Sequence, residues 1–90
     1  MRMADLIKSN GEVIKDVEAT SLKQKQELVG GYIEYCPVDN DSFMYIDEEG
    51  LLKKKEVNHK ASQMAGQMVV GDALLCSYKE TVNDWYNWTH

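Results

Sequence analysis

The chain has 90 residues, 43% of them hydrophobic and 28% charged, with a formal net charge of -5. That length suits one domain over residues 1–90, and the composition excludes a disordered chain. The acidity argues against direct nucleic-acid binding, which needs clustered Lys and Arg, and leaves a basic protein partner open.

In chain order, residues 3–18 are expected to form a hairpin. MADLIKS and EVIKDVE flank Asn10-Gly11, a pair that tolerates positive φ in a tight turn. A short helix, SLKQKQELV, follows. Ser21 is its expected N-cap, Gln24 the capping-box partner, and Leu22, Leu28 and Val29 its apolar contacts. Gly30 falls where a left-handed C-terminal cap belongs, and Gly31 lets the chain turn into the strand YIEYCPV. Ile33 and Tyr35 should share one face of that strand and Tyr32, Glu34 and Cys36 the other. Pro37, lacking a ladder donor, points to a sheet edge or strand end.

VDNDS reads as a polar turn. FMYI and LLKKKEV read as a second hairpin around Asp47-Glu48-Glu49-Gly50. Asn58 is expected to cap a second helix, HKASQMAGQ, whose Ala61, Met64, Ala65 and Met68 share a face. MVVGDALLCSY, the most apolar segment, predicts a central strand, with Gly71 at a bulge or close backbone approach. TVNDWYNWTH predicts a short terminal helix bearing Trp85 and Trp88. The fold class is α+β: a small, mostly antiparallel sheet with two helices on one face, in the order ββαβββαβ plus that short helix.

Several motifs can be weighed against known chemistry. Gly30-Gly31 lies between a helix and a strand in that order, so no helix N-terminus follows to hold a phosphate. An EF-hand register from Asp39 places Phe43, Met44 and Gly50 where ligands and the turn glycine belong, and is rejected. Cys36, Cys76, His59 and His90 lack ligand-pair spacing, so no metal or cofactor is expected and the thiols read as core residues. Lys53-Lys54-Lys55, with His59 and Lys60 at the second-helix start, is the basic cluster that could meet an anion. The plainer reading is a solvated edge strand. No clustered acid–base set is present, so no catalytic residue is assigned and no enzyme is expected. The N-terminus MRMADLIKSNGE lacks the apolar core of a signal peptide, and no run approaches the ~20 residues that span a bilayer. A reducing cytoplasm and no membrane partner are the resulting expectations.

ELVGGYIEYCPV, IDEEGLLKKKEVNHKAS and VVGDALLCS together resemble the small proteins grouped as domain of unknown function 3846, over residues 20–77. That family's pattern has a helix ending in LVGGYIE, an N-E-E-G-K-L-like hairpin, an N-x-x-A helix start and a V-G-x-x-(V/L) strand. This chain has Asp47 where asparagine is frequent, and a tryptophan-bearing tail beyond the resemblance. The family occurs in bacteriophages, plasmids and bacteria and has no activity to transfer. The resemblance implies a phage-type accessory protein in the cytoplasm of an infected bacterium, of a kind that often inhibits host machinery or immunity.

The functional expectation is a non-enzymatic protein that counters host defence by binding and inhibiting a host protein. Asp47, Glu48, Glu49, Trp85 and Trp88 are the expected contact residues. The alternative is a sponge for a small cyclic nucleotide signal, held by Tyr32, Asn58, His59 and Lys60. A structural or assembly module is a third reading. The small core and tail aromatics also suggest a homodimer.

Overall fold

The computed structural model describes residues 3–78. The elements are β1 (Met3–Ile7), β2 (Val13–Glu18), α1 (Leu22–Val29), β3 (Ile33–Pro37), β4 (Ser42–Asp47), α2 (His59–Ala65) and β5 (Ala73–Ser77). The strands form one sheet in the order β2-β1-β5-β4-β3, with every neighbouring pair antiparallel. The fold is α+β. The expected terminal helix, with Trp85 and Trp88, lies outside the described residues.

Both signals that open the chain form locally. The β1–β2 hairpin closes over a loop in which Lys8 N–H donates to Glu12 O and Gly11 N–H to Lys8 O. Gly11 alone of the Asn-Gly pair has positive φ, so the tight two-residue turn expected there is replaced by a longer loop braced by the Asn10 carboxamide, which accepts from Glu12 N–H. Ser21 Oγ accepts from Gln24 N–H, and Gln24 Oε1 accepts from the Ser21 and Thr20 amides, giving α1 the expected reciprocal cap. Val29 is buried beneath α1 and Leu28 packs beside it. Leu22, expected to join them, is exposed.

The helices do not share a face of the sheet, contrary to expectation. Ala4, Leu6, Ala19, Val29 and Leu74 form one core layer, beneath α1. Ile7, Cys36, Met44, Ala61, Val69 and Ala73 form the other, with α2. Successive strand residues point to opposite faces, so Leu6 and Ile7 serve different layers, as do Ala73 and Leu74. β5 therefore has both faces covered, which is why its sequence reads as a continuous apolar run.

A second expectation fails at LLKKKEV, which is not a strand. Residues 50–55 fold into successive turns: Gly50 N–H donates to Asp47 O, Lys53 N–H to Glu49 O, Lys54 N–H to Leu51 O and Lys55 N–H to Gly50 O. One bridge, Val57 to Val70, is the segment's link to a ladder. The sheet thus has five strands among the described residues rather than six. α2 also ends sooner than its apolar pattern suggested. Gly66 adopts φ 70° and caps the helix, so Met68 leaves the helical period and stands exposed.

β3 lies at the sheet edge, as Pro37 suggested. Glu48 N–H donates to Tyr32 O and Val38 N–H to Ser42 O, which sets the alternation of the β3–β4 ladder. Tyr32, Glu34, Cys36 and Val38 occupy its hydrogen-bonded positions. Ile33, Tyr35 and Pro37 direct their backbone groups away from β4, so the missing donor of Pro37 costs that ladder nothing.

Candidate functional site

Asp47 ends β4 and turns inward. Its Oδ1 accepts from Glu49 N–H at 2.8 Å, while Oδ2 meets Lys53 Nζ at 2.9 Å and Lys55 Nζ at 2.5 Å. The carboxylate is wholly covered, and the ammonium-bearing side chains are 39% and 25% exposed respectively. Burial alone would raise the Asp47 pKa. Hydrogen bonds from Lys55, Lys53 and the Glu49 amide outweigh that penalty and hold it at about 2. The same lysines reach the C-terminus of α1: Lys53 Nζ donates to Gly30 O, and Lys55 Nζ to Val29 O at 3.2 Å. Cations there complement the carbonyl end of the helix.

This clasp explains the paired glycines. Gly30 caps α1 at φ 91°, donating to Gln26 O. Gly31 is needed for space: a Cβ there would sit 2.5 Å from Lys53 Nζ and 2.8 Å from both Asp47 carboxylate oxygens. The pair is a helix stop followed by a berth for an ion pair. Lys53 and Lys55 are consequently committed to Asp47 and do not form a free anion cluster. Asp47, expected on a partner-facing acidic surface, is interior, whereas Glu48 and Glu49 are exposed.

The expected nucleotide site is dispersed in the same way. Asn58 is fully buried. Its Oδ1 accepts from Ala61 N–H, capping α2, and its Nδ2 donates to Ile7 O at 2.8 Å and Gly71 O at 2.9 Å. Both N–H donors of the carboxamide are spent holding α2 to β1 and to the turn before β5, while its oxygen caps the helix. Lys60 Nζ lies 3.4 Å from Gly11 O in the hairpin loop, and His59 is exposed. Tyr32, 65% exposed, sits at the start of β3, with β4 and β5 between it and the β1 anchor of Asn58. The structure therefore brings Asn58, His59 and Lys60 together and leaves Tyr32 apart. Trp85 and Trp88 lie outside the described residues.

What does converge is an apolar cleft of about 120 Å³, lined by Glu34, Ile46, Asp47, Glu48, Leu51, Met68 and Val70. Leu51 is 68% exposed and Met68 60%, and the adjoining Leu52 is 82% exposed. Glu34 and Glu48 stand at its polar side, and no described lysine pairs with either. Sequence reasoning missed Leu51, Leu52 and Met68. Their available signal was leucines set between acidic and basic runs, and a methionine just past a helix-ending glycine. The opposite face of this sheet end carries aromatic rings. Phe43 packs edge-on to Tyr45 at 5.1 Å and against Tyr78 at 4.8 Å, and Lys25 lies over the Tyr45 ring. The hydrogen bond with Tyr35 raises the Tyr78 phenol to about 12, with burial and nearby charge adding to it.

The model of a family described as Domain of unknown function (DUF3846) matches residues 1–87. The chain belongs to the DUF3846 family. The match extends past residues 20–77, so the β1–β2 hairpin and Trp85 fall within the DUF3846 span and only the last three residues lie beyond it. No curated protein and no solved structure matches the chain. Among the described residues, no helix of this DUF3846 member is long and apolar enough to cross a membrane.

Proposed function

We propose that this DUF3846 protein is a non-catalytic binding module that occupies a surface of another protein, acting during infection to inhibit a host component. The observation that carries this reading is the cleft flanked by Leu51 and Met68, with Leu52 beside it and carboxylates at its rim. Large side chains exposed to this degree around a concavity are typical of contact surfaces. The acidic side favours a partner presenting lysine or arginine around an apolar anchor. The infection setting rests on the family's association with bacteriophages. A nucleotide-sequestering role has less support, because Tyr32 lies beside the edge strand β3 whereas Lys60, on α2, reaches Gly11 in the β1–β2 loop.

Tagged wild type and the Leu51→Glu and Met68→Glu variants, verified as folded by circular dichroism, should be compared in capture from bacterial lysate. Each variant should retain at most about a tenth of the captured partner, the loss of one buried apolar anchor. Undiminished capture by both variants would remove the cleft from consideration. Calorimetry of wild type and Lys60→Ala against cyclic nucleotides tests the alternative, which gains if wild type binds one and the variant does not.

A further inference from the structure

The edge strand beside this cleft supplies more than a wall. β3 is the last strand of the sheet among the described residues, and its Ile33 and Tyr35 backbone groups face outward from the ladder. Glu34 lies between them in sequence. Its side chain projects to the α2 face, where it lines the cleft beside Ile46, its partner across the ladder. An open pair of amides and carbonyls thus runs alongside an apolar recess with carboxylates at its rim. Pro37 presents no donor at the far end of this edge, which limits a new ladder to the Ile33–Tyr35 stretch.

We propose that β3 accepts an extended, basic segment of a partner protein as a sixth strand. The proposal rests on the docking role argued above and specifies its mode. Main-chain hydrogen bonds to Ile33 and Tyr35 would hold the segment, and alternate side chains would select it. On the cleft face the period-two pattern places one apolar side chain toward Ile46, Leu51, Met68 and Val70, with basic residues two positions either side near Glu34 and Glu48. Charge decides the occupant. The nearby Lys53 and Lys55 share the single Asp47 carboxylate, which balances one of their two charges. The carboxylates of Glu34 and Glu48 that line the cleft, with the exposed Glu49 next in sequence, outnumber the one that is left. A second copy of this chain, with a net charge of -5, is a poorer match.

The test uses the full chain and a blocked pentapeptide, Lys-Val-Leu-Val-Lys, whose lysines and leucine share one face. Binding should slow amide hydrogen exchange at both Ile33 and Tyr35 by at least about tenfold, the mark of newly protected donors. Replacing the peptide's lysines with glutamates, or methylating its valine amides, should each weaken binding by at least about tenfold. No binding of the lysine peptide, or binding without protection at Ile33 and Tyr35, overturns strand addition. So does protection already present without peptide, which would mean the edge is occupied. Peptide binding with amide protection that survives Leu51→Glu and Met68→Glu would instead keep strand addition and remove the cleft as a docking feature. Failure of the strand mode is thereby distinguishable from failure of the functional reading.

Discussion

Asn58 and Asp47 are the buried polar side chains among the described residues, and each ties distant segments together by different means. Asn58 is a neutral bracket, satisfied by Ile7, Gly71 and Ala61 backbone groups in the interior. Asp47 is a charged clasp whose carboxylate is covered but whose lysines reach the surface. Removing a partner from a sealed network strands groups that water cannot reach, whereas a clasp at the solvent boundary can rehydrate. The bracket should therefore dominate stability. The clasp sets the path of the turn carrying Leu51, and so bears on the cleft.

The largest effect is expected from Asn58→Ala. It removes the α2 cap and leaves the Ile7 and Gly71 carbonyls without those donors, a loss of about 3 kcal/mol or more. For a domain of this size the melting temperature should fall by roughly 12–25 °C. Asn58→Asp separates the two roles, because it keeps an acceptor for Ala61 N–H while losing both donors. If Asn58→Asp melts near wild type, the cap alone matters and the bracket is misread.

Asp47→Asn should cost less, about 2 kcal/mol at neutral pH, because the amide can still accept from Glu49 N–H. The effect has a direction in pH. Asp47 titrates at about 2 when folded, against an ordinary 3.8. Its contribution is full above the ordinary value and disappears as pH falls through about 2. Denaturant unfolding of wild type and Asp47→Asn at pH 7, 4, 3 and 2 should show their difference closing at the acid end. A gap independent of pH would mean that packing, rather than the ion pairs, makes Asp47 important.

The same contrast governs what the sequence revealed. Ser21 and Gln24 are three residues apart, so their cap was readable from spacing alone. Asn58 was readable as a cap, but its donation to Ile7 spans 51 positions and leaves no local mark. LLKKKEV looked like the second arm of a hairpin because it follows FMYI across the Asp47-Glu48-Glu49-Gly50 turn signal, yet the buried Asp47 charge pulls Lys53 and Lys55 back and favours turns. The opposite placement of the helices was hidden because adjacent residues such as Leu6 and Ile7 are both buried, which erases the period that distinguishes one face from the other. Glu48 and Glu49 were legible as exposed acids. The cleft was not, since exposure of Leu51 and Met68 follows from where two turns end.

Gly31→Ala probes the clasp without touching a charge. The added methyl would press on Lys53 Nζ, which can swing away, and on the Asp47 carboxylate, which is pinned. A loss of about 1–2 kcal/mol is expected from overpacking. In an Asp47→Asn background the loss should shrink, because the amide no longer draws both lysines into that space. Thermal unfolding of the four species forms a double-mutant cycle, and strict additivity would mean that Gly31 and Asp47 do not share a constraint.

The smallest effect should come from the outer half of the clasp. Lys53 is the more exposed lysine, so Lys53→Ala should cost less than about 1 kcal/mol, as for other pairs open to water and salt. Lys55 is closer to Asp47, less exposed, and donates to Val29 O at the end of α1, so Lys55→Ala should cost more. The ordering follows from accessibility: water can replace Lys53 at the carboxylate more readily than it can follow Lys55 inward. Equilibrium urea unfolding of the two variants at low and high salt decides it. Equal losses, or a larger loss for Lys53, would show that the clasp behaves as a surface pair throughout and would remove its contrast with the sealed Asn58 bracket.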